Sequence, residues 1–360
     1  MTTSTATGSL SLRSRAGFSA REYVEDFVQD DRVTMFLHIL HPSPIAFQIG
    51  PISIYWYGLL IVVAIFIGLA LTFRLSRIYK IPKEKIWDFS FYLIIFGLIG
   101  ARVFYLFYNW PYYWQNQLAI FRVWEGGLSI HGAIAAGILV LFFYALHEGG
   151  LSFWHRNFNL KFRTRSIQGE RNPKRSGGLL NFWLLADLLA PALALGQAIG
   201  RWGNYFNQEL YGLPTNLPWG IPIDLINRTE NYASFGYFHP TFLYESIWCF
   251  IIFLVLLFLH KLRIKENKKH YQTLKYGSKP IVNSTNSGFT LSNFPIGFIF
   301  LTYLILYSLG RFFIEFLRID PQPIIFGFRL GQIFSLIILA GALAIMLYKF
   351  KNRNSKQYLK

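Results

Sequence analysis

The segment from Gly200 to Gly212 reads Gly-Arg-Trp-Gly-Asn-Tyr-Phe-Asn-Gln-Glu-Leu-Tyr-Gly. It places Arg201, Asn204, Asn207 and Glu209 together at the end of an apolar run that is long enough for a membrane helix. Polar side chains at membrane depth are costly and usually mark a functional site. Its glycines allow close backbone approach and left-handed dihedral angles, as a loop around a ligand requires. An arginine here suits an anion, because its planar fork makes paired hydrogen bonds to phosphate or carboxylate.

A second set of polar residues has helical spacing. Tyr307, Arg311, Glu315 and Arg318 are separated by four, four and three positions, which places them on one helix face. The residues around them are too apolar for that face to meet water. Two interpretations stay open on spacing alone: Arg311 and Glu315 form a solvated or interhelical ion-pair stripe, or Arg311 meets an anion or a carboxylate.

Single residues in other apolar runs also bear chemistry. His131 lies among glycines and small residues, and is either a packed core histidine or a general base, since imidazole titrates nearest neutral pH. Tyr57 is as consistent with an interfacial anchor as with a site residue. Asp187 is expected to play a structural role and to pair with a basic side chain such as Arg201 or Arg102.

The sequence lacks the motifs that are typical of several reaction types. There is no His-Glu-x-x-His, no phosphate-binding Walker loop, no Gly-x-Ser-x-Gly elbow and no carboxylate cluster for magnesium, so we expect no metal and no cofactor. The lone cysteine, Cys249, supports neither a disulfide nor a thiolate metal site, and is interpreted as a buried hydrophobe. Arginines, one histidine and no nucleophile indicate a direct transfer to an attacking group on a second substrate.

Composition indicates that a membrane carries these residues. The chain is 53% hydrophobic and 15% charged, against about 25% charged residues in an average soluble domain. The net charge of +17 lies in short blocks between apolar runs, which favours a membrane protein and argues against nucleic acid as a partner. Seven runs approach the roughly 20 residues that span a bilayer. They are about 57–73, 89–108, 128–146, 180–199, 241–260, 294–317 and 331–348.

Charge asymmetry predicts the orientation of the chain. Of the 35 lysines and arginines, 24 fall within 74–85, 156–175, 261–279 and 349–360, on alternate sides of the runs. The positive-inside rule places these segments and the C-terminus in the cytoplasm and the N-terminus outside. The predicted fold is therefore an all-α polytopic membrane protein with seven transmembrane helices. Every site residue named above except Asp187 then lies toward the outer half of the membrane.

The remaining segments complete this scheme. Residues 1–34 lack an apolar core and are interpreted as a disordered extension, before a seven-span domain over 35–350. Residues 36–55 are expected to form a short arm on the membrane surface, and 201–240 a small extracytoplasmic cap. Residues 351–360 are a basic cytoplasmic tail.

These motifs resemble the prolipoprotein diacylglyceryl transferase family. Residues 200–212 match its Gly-Arg-x-Gly-Asn-x-x-Asn-x-Glu-x-x-Gly signature at every fixed position. The likeness covers about residues 40–350, and departs from the compact family pattern at 1–34, 148–178 and 262–292. Further matching stretches are Trp56-Tyr57-Gly58, Gly100-Ala101-Arg102, Gly126-Gly127-Leu128 with His131-Gly132, His239-Pro240 with Leu243-Tyr244-Glu245, and Tyr307 with Gly310-Arg311-Phe312 and Glu315.

The resemblance implies a reaction in a bacterial inner membrane, with the site toward its extracytoplasmic side. Phosphatidylglycerol would donate its diacylglyceryl group to the lipobox cysteine of a preprolipoprotein signal peptide, forming a thioether and releasing glycerol 1-phosphate. The implied catalytic residues are His131, Arg201, Arg311, Tyr57 and Tyr307. The implied phosphatidylglycerol contacts are Arg201, Arg311, Asn204, Glu209, Arg102, Asn207, Glu315 and Gly212. The alternative, an anionic-lipid transporter or flippase, more often shows internal inverted repeats, which are not evident here.

Overall fold

The computed structural model describes residues 36–50, 52–122, 126–149, 182–275 and 294–357. The predicted extension 1–34 lies outside the described residues, as do most of the segments 148–178 and 262–292. The structure is mostly helical, as expected. Its helices are α1 Phe36–Ile39, α2 Trp56–Ile78, α3 Lys83–Tyr108, α4 Trp110–Gln115, α5 Ile130–Gly149, α6 Phe182–Phe206, α7 Thr241–Lys275, α8 Phe298–Ile314 and α9 Leu330–Gln357.

Six of these helices are long and apolar enough to cross a membrane, namely α2, α3, α5, α6, α7 and α9. The protein is therefore a polytopic membrane protein. The seventh predicted run, 294–317, contains α8, which has only 17 residues. At 1.5 Å per residue α8 is roughly 26 Å long, somewhat shorter than the hydrocarbon core. It begins late because Pro295 lacks an amide hydrogen and Gly297 is left-handed, with φ of 95°.

Short strands accompany the helices, so the expectation of a purely helical chain is incomplete. Three antiparallel two-stranded pairs occur in the described residues. They are β1 Ile45–Ile49 with β2 Ile52–Tyr55, β3 Ile221–Pro222 with β4 Tyr237–Phe238, and β5 Ile324–Ile325 with β6 Phe328–Arg329. The β3–β4 pair belongs to a cap with its own core, in which Tyr205, Tyr211, Ile223, Phe238 and Phe242 are buried.

The structure adds detail to two predicted features of this end of the molecule. The cap was expected to begin at residue 201, but α6 continues as a helix through Phe206. The arm 36–55 packs on the cap: the His38 ring stacks on Tyr237 with centroids 3.9 Å apart. The buried cap core also receives Leu37 from this arm. Packing against the cap, as well as any membrane surface, therefore holds the arm.

At the opposite end of the bundle, the fully buried Asp187 links α6 to α7 and to the start of α8. Its carboxylate accepts hydrogen bonds from Arg263 and from the backbone amides of Gly297 and Phe300, at 2.8–2.9 Å. It thus caps the N-terminus of α8, where a negative charge is favourable. The expected pairing with Arg201 or Arg102 is wrong. Arg201 lies 14 residues along the same helix, roughly 21 Å away, which is beyond side-chain reach.

Helices α3 and α5 form a close pair. The backbones meet at Gly100 and Gly132, where a Cβ on either glycine would collide with the facing helix. Small residues allow such contact between membrane helices. The pair joins the rest of the bundle through a core near Asp187, in which Phe89 of α3, Ala145 of α5 and Leu185 of α6 are buried.

Candidate active site

Glu245, near the start of α7, is the centre of a buried charge network. Its Oε2 lies 2.6 Å from Arg201 Nη2, and its Oε1 lies 2.6 Å from Arg311 Nη1. Arg318 Nη1 approaches the same Oε1 at 3.4 Å. Only 5% of the Glu245 side chain is exposed. One carboxylate therefore gathers arginines from α6, from α8 and from the turn that follows α8.

Glu315 forms the second half of the network. Its Oε2 lies 2.6 Å from Arg311 Nη2, its Oε1 accepts a hydrogen bond from Arg329 Nε at 2.9 Å, and its side chain is fully buried. Arg318 Nε also donates to Asp320 at 2.7 Å. Burial alone would raise the pKa of Asp320, but the hydrogen bond and the charge of Arg318 outweigh it, together with the hydrogen bond from Gln322 and the charge of Arg329, so the pKa lies below its ordinary value. Asp320 therefore stays ionised near neutral pH.

Counted over its direct ion pairs, the network carries one more positive than negative charge. Its four guanidinium groups are those of Arg201, Arg311, Arg318 and Arg329, and its three carboxylates are Glu245, Glu315 and Asp320. Glu209 is outside this count, because it is exposed and reaches Arg201 only through Asn204.

The side chains of Arg201, Arg311 and Arg329 are 20%, 17% and 21% exposed, against 4% for Arg318. Because Arg329 also donates to the backbone carbonyls of Arg318 and Asp320, Arg201 and Arg311 are the members best placed to meet a ligand. The ion-pair interpretation of Arg311 is therefore confirmed, with Glu245 and Glu315 as its carboxylate partners, and the binding of a substrate anion by Arg311 stays a prediction.

The signature segment continues from Arg201 by a chain of hydrogen bonds. Arg201 Nη1 donates to Asn204 Oδ1 at 3.2 Å, and Asn204 Nδ2 donates to Glu209 Oε1 at 2.7 Å. Asn207 Nδ2 approaches the same oxygen at 3.4 Å. Asn204 is buried and Glu209 is exposed. The structure thus brings together four of the predicted residues at the end of α6.

Two predicted tyrosines border Arg201. The ring of Tyr57 lies against Gly203, where an added Cβ would overlap the ring. The Tyr307 hydroxyl lies close to the Arg201 guanidinium, and the Tyr307 ring stacks on Tyr303 with centroids 5.9 Å apart. Tyr57 is on α2 and Tyr307 is on α8, and both helices pack against α6, so both tyrosines lie beside the charge network.

Gly212 serves as a backbone joint. Its amide donates to the His239 carbonyl at 2.9 Å, and the next residue, Leu213, donates to the Leu317 carbonyl at 2.8 Å. A Cβ at Gly212 would lie 2.9 Å from atoms of His239, Leu317 and Thr241. Glycine is required because three chain segments converge there. The joint holds the end of the signature segment beside Arg318.

Arg102 is held differently from the other arginines. It is buried beside Tyr113, and its guanidinium donates to backbone carbonyls of the loop before α5. Those carbonyls belong to Ala119, Ile120, Arg122, Gly126 and Gly127, at 2.7–3.5 Å. The bonds to this loop engage all three guanidinium nitrogens. In the described residues Arg102 therefore fixes the approach to α5, which begins with Ile130 and His131.

The exposure of side chains on α5 and α6 increases toward the Arg201 end, from which we infer that the two helices separate there. On α5, Leu141 and Ala145 are buried, whereas Ile134 and Ile138 on the same face are more than half exposed. On α6, buried Leu185 is followed on its face by exposed Leu193 and by Gly196 and Gly200, where an added Cβ would meet open space. We call this opening, bordered by Ile134, Ile138, Leu193, Gly196 and Gly200, the wedge. His131 lies at its wide end and its side chain is exposed.

A family model described as prolipoprotein diacylglyceryl transferase matches residues 44–157, 173–276 and 286–348. These ranges contain every residue of the site described above, and cover most of the chain. The chain belongs to the prolipoprotein diacylglyceryl transferase family.

Curated relatives of the family match over most of their length. Three are named phosphatidylglycerol--prolipoprotein diacylglyceryl transferase. The protein of Parasynechococcus marenigrum (strain WH8102) is 39% identical over 78% of this chain and 81% of its own. That of Trichormus variabilis (strain ATCC 29413 / PCC 7937) is 39% identical over 82% and 85%. That of Synechocystis sp. (strain ATCC 27184 / PCC 6803 / Kazusa) is 38% identical over 85% and 90%.

Within this diacylglyceryl transferase fold, sequence reasoning missed the central carboxylate. Glu245 was noted only as part of a matching stretch, and Arg329 and Asp320 were not singled out at all. A carboxylate in the first turn of an apolar run is a usable signal, because such a residue needs a partner. Arg329 gives no comparable signal, since it follows a β-turn and precedes the last span by one residue.

Gly203→Ala should displace the Tyr57 ring from Arg201 and lower turnover by about tenfold, with the protein still folded. The matched control is Gly341→Ala in α9, another glycine within a helix, where the added methyl meets open space. The measurement is turnover of the two purified variants, with thermal unfolding in detergent as the test of folding. Equal turnover would show that the close contact of Tyr57 with Gly203 has no role in the reaction.

Proposed function

We propose that this chain is a transferase that moves the diacylglyceryl group of phosphatidylglycerol to the cysteine thiol of a prolipoprotein. The observation that carries this proposal is the buried network around Glu245, with its one unbalanced positive charge. A phosphatidylglycerol headgroup is a phosphodiester with one negative charge, which complements that excess. The curated relatives act on phosphatidylglycerol and prolipoprotein according to their names.

The bond changes explain why arginines are needed. The sulfur of the acceptor forms a bond to the glyceryl carbon that carries the phosphate, and the carbon–oxygen bond to that phosphate breaks. The phosphate leaves as glycerol 1-phosphate with the electron pair of the broken bond, so its negative charge increases. We propose that Arg201 and Arg311 stabilise this charge, since fixed donors in a water-poor site act strongly on developing charge. Asn204, Asn207, Glu209 and Glu315 orient these two arginines and the headgroup.

The thiol must also lose its proton. A free cysteine has a pKa of about 8.5, so a base assists its attack. We propose His131 as that base, because its side chain is exposed at the wide end of the wedge, where its ring packs beside that of Phe104. Tyr57 and Tyr307 are proposed to relay the proton or to hold the phosphate beside Arg201. We propose that Arg102 acts on His131 indirectly, by fixing the loop before α5.

The wedge provides a route for both apolar substrates. In this proposal it opens sideways between α5 and α6, and on α6 it reaches Gly200, the residue next to Arg201. Donor acyl chains and the apolar segment of a signal peptide are insoluble in water and must approach within the bilayer. We propose that they enter by this lateral opening, with the lipobox cysteine directed toward His131.

We propose seven spans, with the N-terminus outside and the C-terminus in the cytoplasm. Although α8 is short, its first turn contacts Asp187 at one end of the bundle, and Arg311 in its last turn contacts Glu245 at the other end. It therefore runs between the same two ends as its neighbours. The charge asymmetry of the loops supports this orientation. The cap then faces the extracytoplasmic side of a bacterial inner membrane, as does the site. The domain division at 34 and 351 is part of the same proposal.

The reaction is tested with purified protein, phosphatidylglycerol vesicles and a lipobox peptide. We expect the peptide to gain the mass of a diacylglyceryl group, with release of one glycerol phosphate for each peptide modified. A peptide with serine in place of its cysteine is the control and should remain unmodified. Transbilayer movement of labelled phosphatidylglycerol without any covalent product would instead support the transporter alternative.

His131→Gln should lower turnover at neutral pH by about 10²-fold or more, within the usual range for loss of a general base. Glutamine keeps a hydrogen-bonding group but cannot take up a proton. Raising the pH should restore part of the rate, because more of the peptide thiol is then ionised without help. The measurement is turnover between pH 6 and pH 9 for wild type and variant. A parallel pH dependence in both proteins would remove His131 from the role of base.

A further inference from the structure

Glu209 stands between two residues with left-handed backbone. Gln208 has φ of 51° and Leu210 has φ of 57°. Neither is glycine, and neither is a residue type that favours this region. Such a conformation costs free energy and persists where the surrounding structure holds it. The glycines of the signature segment do not play this part, since Gly200 and Gly203 are within α6.

The side chain of Gln208 supplies the restraint. It is buried, and its amide forms contacts with four groups. Its Nε2 donates to the Pro42 carbonyl at 2.9 Å and to Asp224 Oδ2 at 2.6 Å. Its Oε1 accepts from the Asp224 amide at 2.7 Å and from Asn227 Nδ2 at 3.2 Å. Hydrogen bonds to the N-terminal arm and to the cap therefore hold the Gln208 side chain in one position.

The restraint acts directly beside the site. With Gln208 and Leu210 both left-handed, the chain turns back and Glu209 reaches Asn204, which contacts Arg201. The Leu210 carbonyl accepts from the Thr241 hydroxyl at 2.5 Å, so α7 holds the other side of the turn. An extended backbone at residue 208 would turn the Glu209 carboxylate away from Asn204.

We infer that Gln208 is a positioning residue of the transferase: its buried amide clamps the left-handed turn that aims Glu209 at Asn204 and Arg201. This inference rests on the proposed function. It also gives the arm and the cap a role in the reaction, because Pro42, Asp224 and Asn227 supply the partners of the clamp. Gln208 touches neither substrate nor the reacting atoms.

The test is Gln208→Gly, which keeps the left-handed backbone accessible and removes the clamp. We expect about a tenfold loss of turnover in the vesicle assay, with the thermal unfolding midpoint little changed. Hydrogen–deuterium exchange of residues 207–209 should rise at least tenfold. Their amides donate to the carbonyls of Gly203, Tyr205 and Asn204 in the structure, and exchange reports on them without reference to activity.

Two control variants separate the clamp from general effects. Lys80→Gly makes the same change at an exposed left-handed residue, with φ of 56°, at the Asp187 end, and should leave turnover and exchange at 207–209 unchanged. Asp224→Asn keeps an oxygen acceptor for Gln208 and should behave as wild type, whereas Asp224→Ala should resemble Gln208→Gly.

The outcomes are distinct. Faster exchange with lower turnover supports the inference. Unchanged exchange in Gln208→Gly would show that no clamp exists, and faster exchange with full turnover would show that the clamp does not serve the reaction. A wild-type protein without transfer would count against the proposed function instead, and exchange alone would then decide whether the clamp exists.

Discussion

Arg201→Ala is expected to abolish diacylglyceryl transfer, with a loss on the order of 10³-fold or more in turnover. Loss of a single donor to a developing oxyanion costs about 10²–10³ in rate, and Arg201 supplies charge as well as hydrogen bonds. The variant should still fold. Glu245 Oε1 keeps Arg311 and Arg318, so its charge is not left unpaired in the bundle. The measurement is glycerol phosphate release, with thermal unfolding as the check of folding.

Two further variants make this result specific. Arg201→Lys keeps the charge but lacks the planar fork, so it should recover only a small part of the activity. Arg228→Ala removes an arginine of the cap, which donates to the Ile223 and Ala233 carbonyls away from the network, and it should retain full activity. Turnover of Arg201→Ala within a few-fold of wild type would remove the phosphate contact from the mechanism.

The helices were predictable because the bilayer imposes their length and their apolar composition. Each of the seven apolar runs contains a helix, and the signature residues do lie at the end of one of them. The errors are local and have physical causes. Gly200 and Gly203 were interpreted as loosening the backbone, yet they continue α6, since glycine in a helix costs only about 1 kcal/mol. Helical rise alone could have excluded the pairing of Asp187 with Arg201.

The network around Glu245 was not predictable, because it depends on tertiary packing. Its members come from α6, α7, α8 and the turn before α9, and no spacing within one helix shows which arginines face which carboxylate. A close contact sets part of this packing: Trp248 donates to the Leu306 carbonyl and lies against Gly310, one residue from Arg311. The left-handed turn at Gln208 and Leu210 was equally hidden, because neither residue type signals it.

Glu245→Gln is expected to separate binding of the donor from turnover. The change removes one of three carboxylates and raises the excess of the network to two positive charges. The anionic donor should therefore bind several-fold more tightly. Turnover should fall about 100-fold, because the new amide cannot hold Arg201 and Arg311 together: where its nitrogen replaces a carboxylate oxygen, one donor faces another. The measurements are the KM for phosphatidylglycerol and kcat at saturating peptide.

The split between KM and kcat is what identifies Glu245 as an organiser of the arginines. A lower kcat with a lower KM means that the donor is held by arginines that no longer converge on its phosphate, which is loss of transition-state contact with binding retained. Glu230→Gln, on the cap, changes the net charge equally outside the network and should alter neither constant. An unchanged kcat in Glu245→Gln would mean that Glu245 only offsets charge. A raised KM would mean that its carboxylate helps to form the donor site, contrary to the tighter binding of the donor expected here.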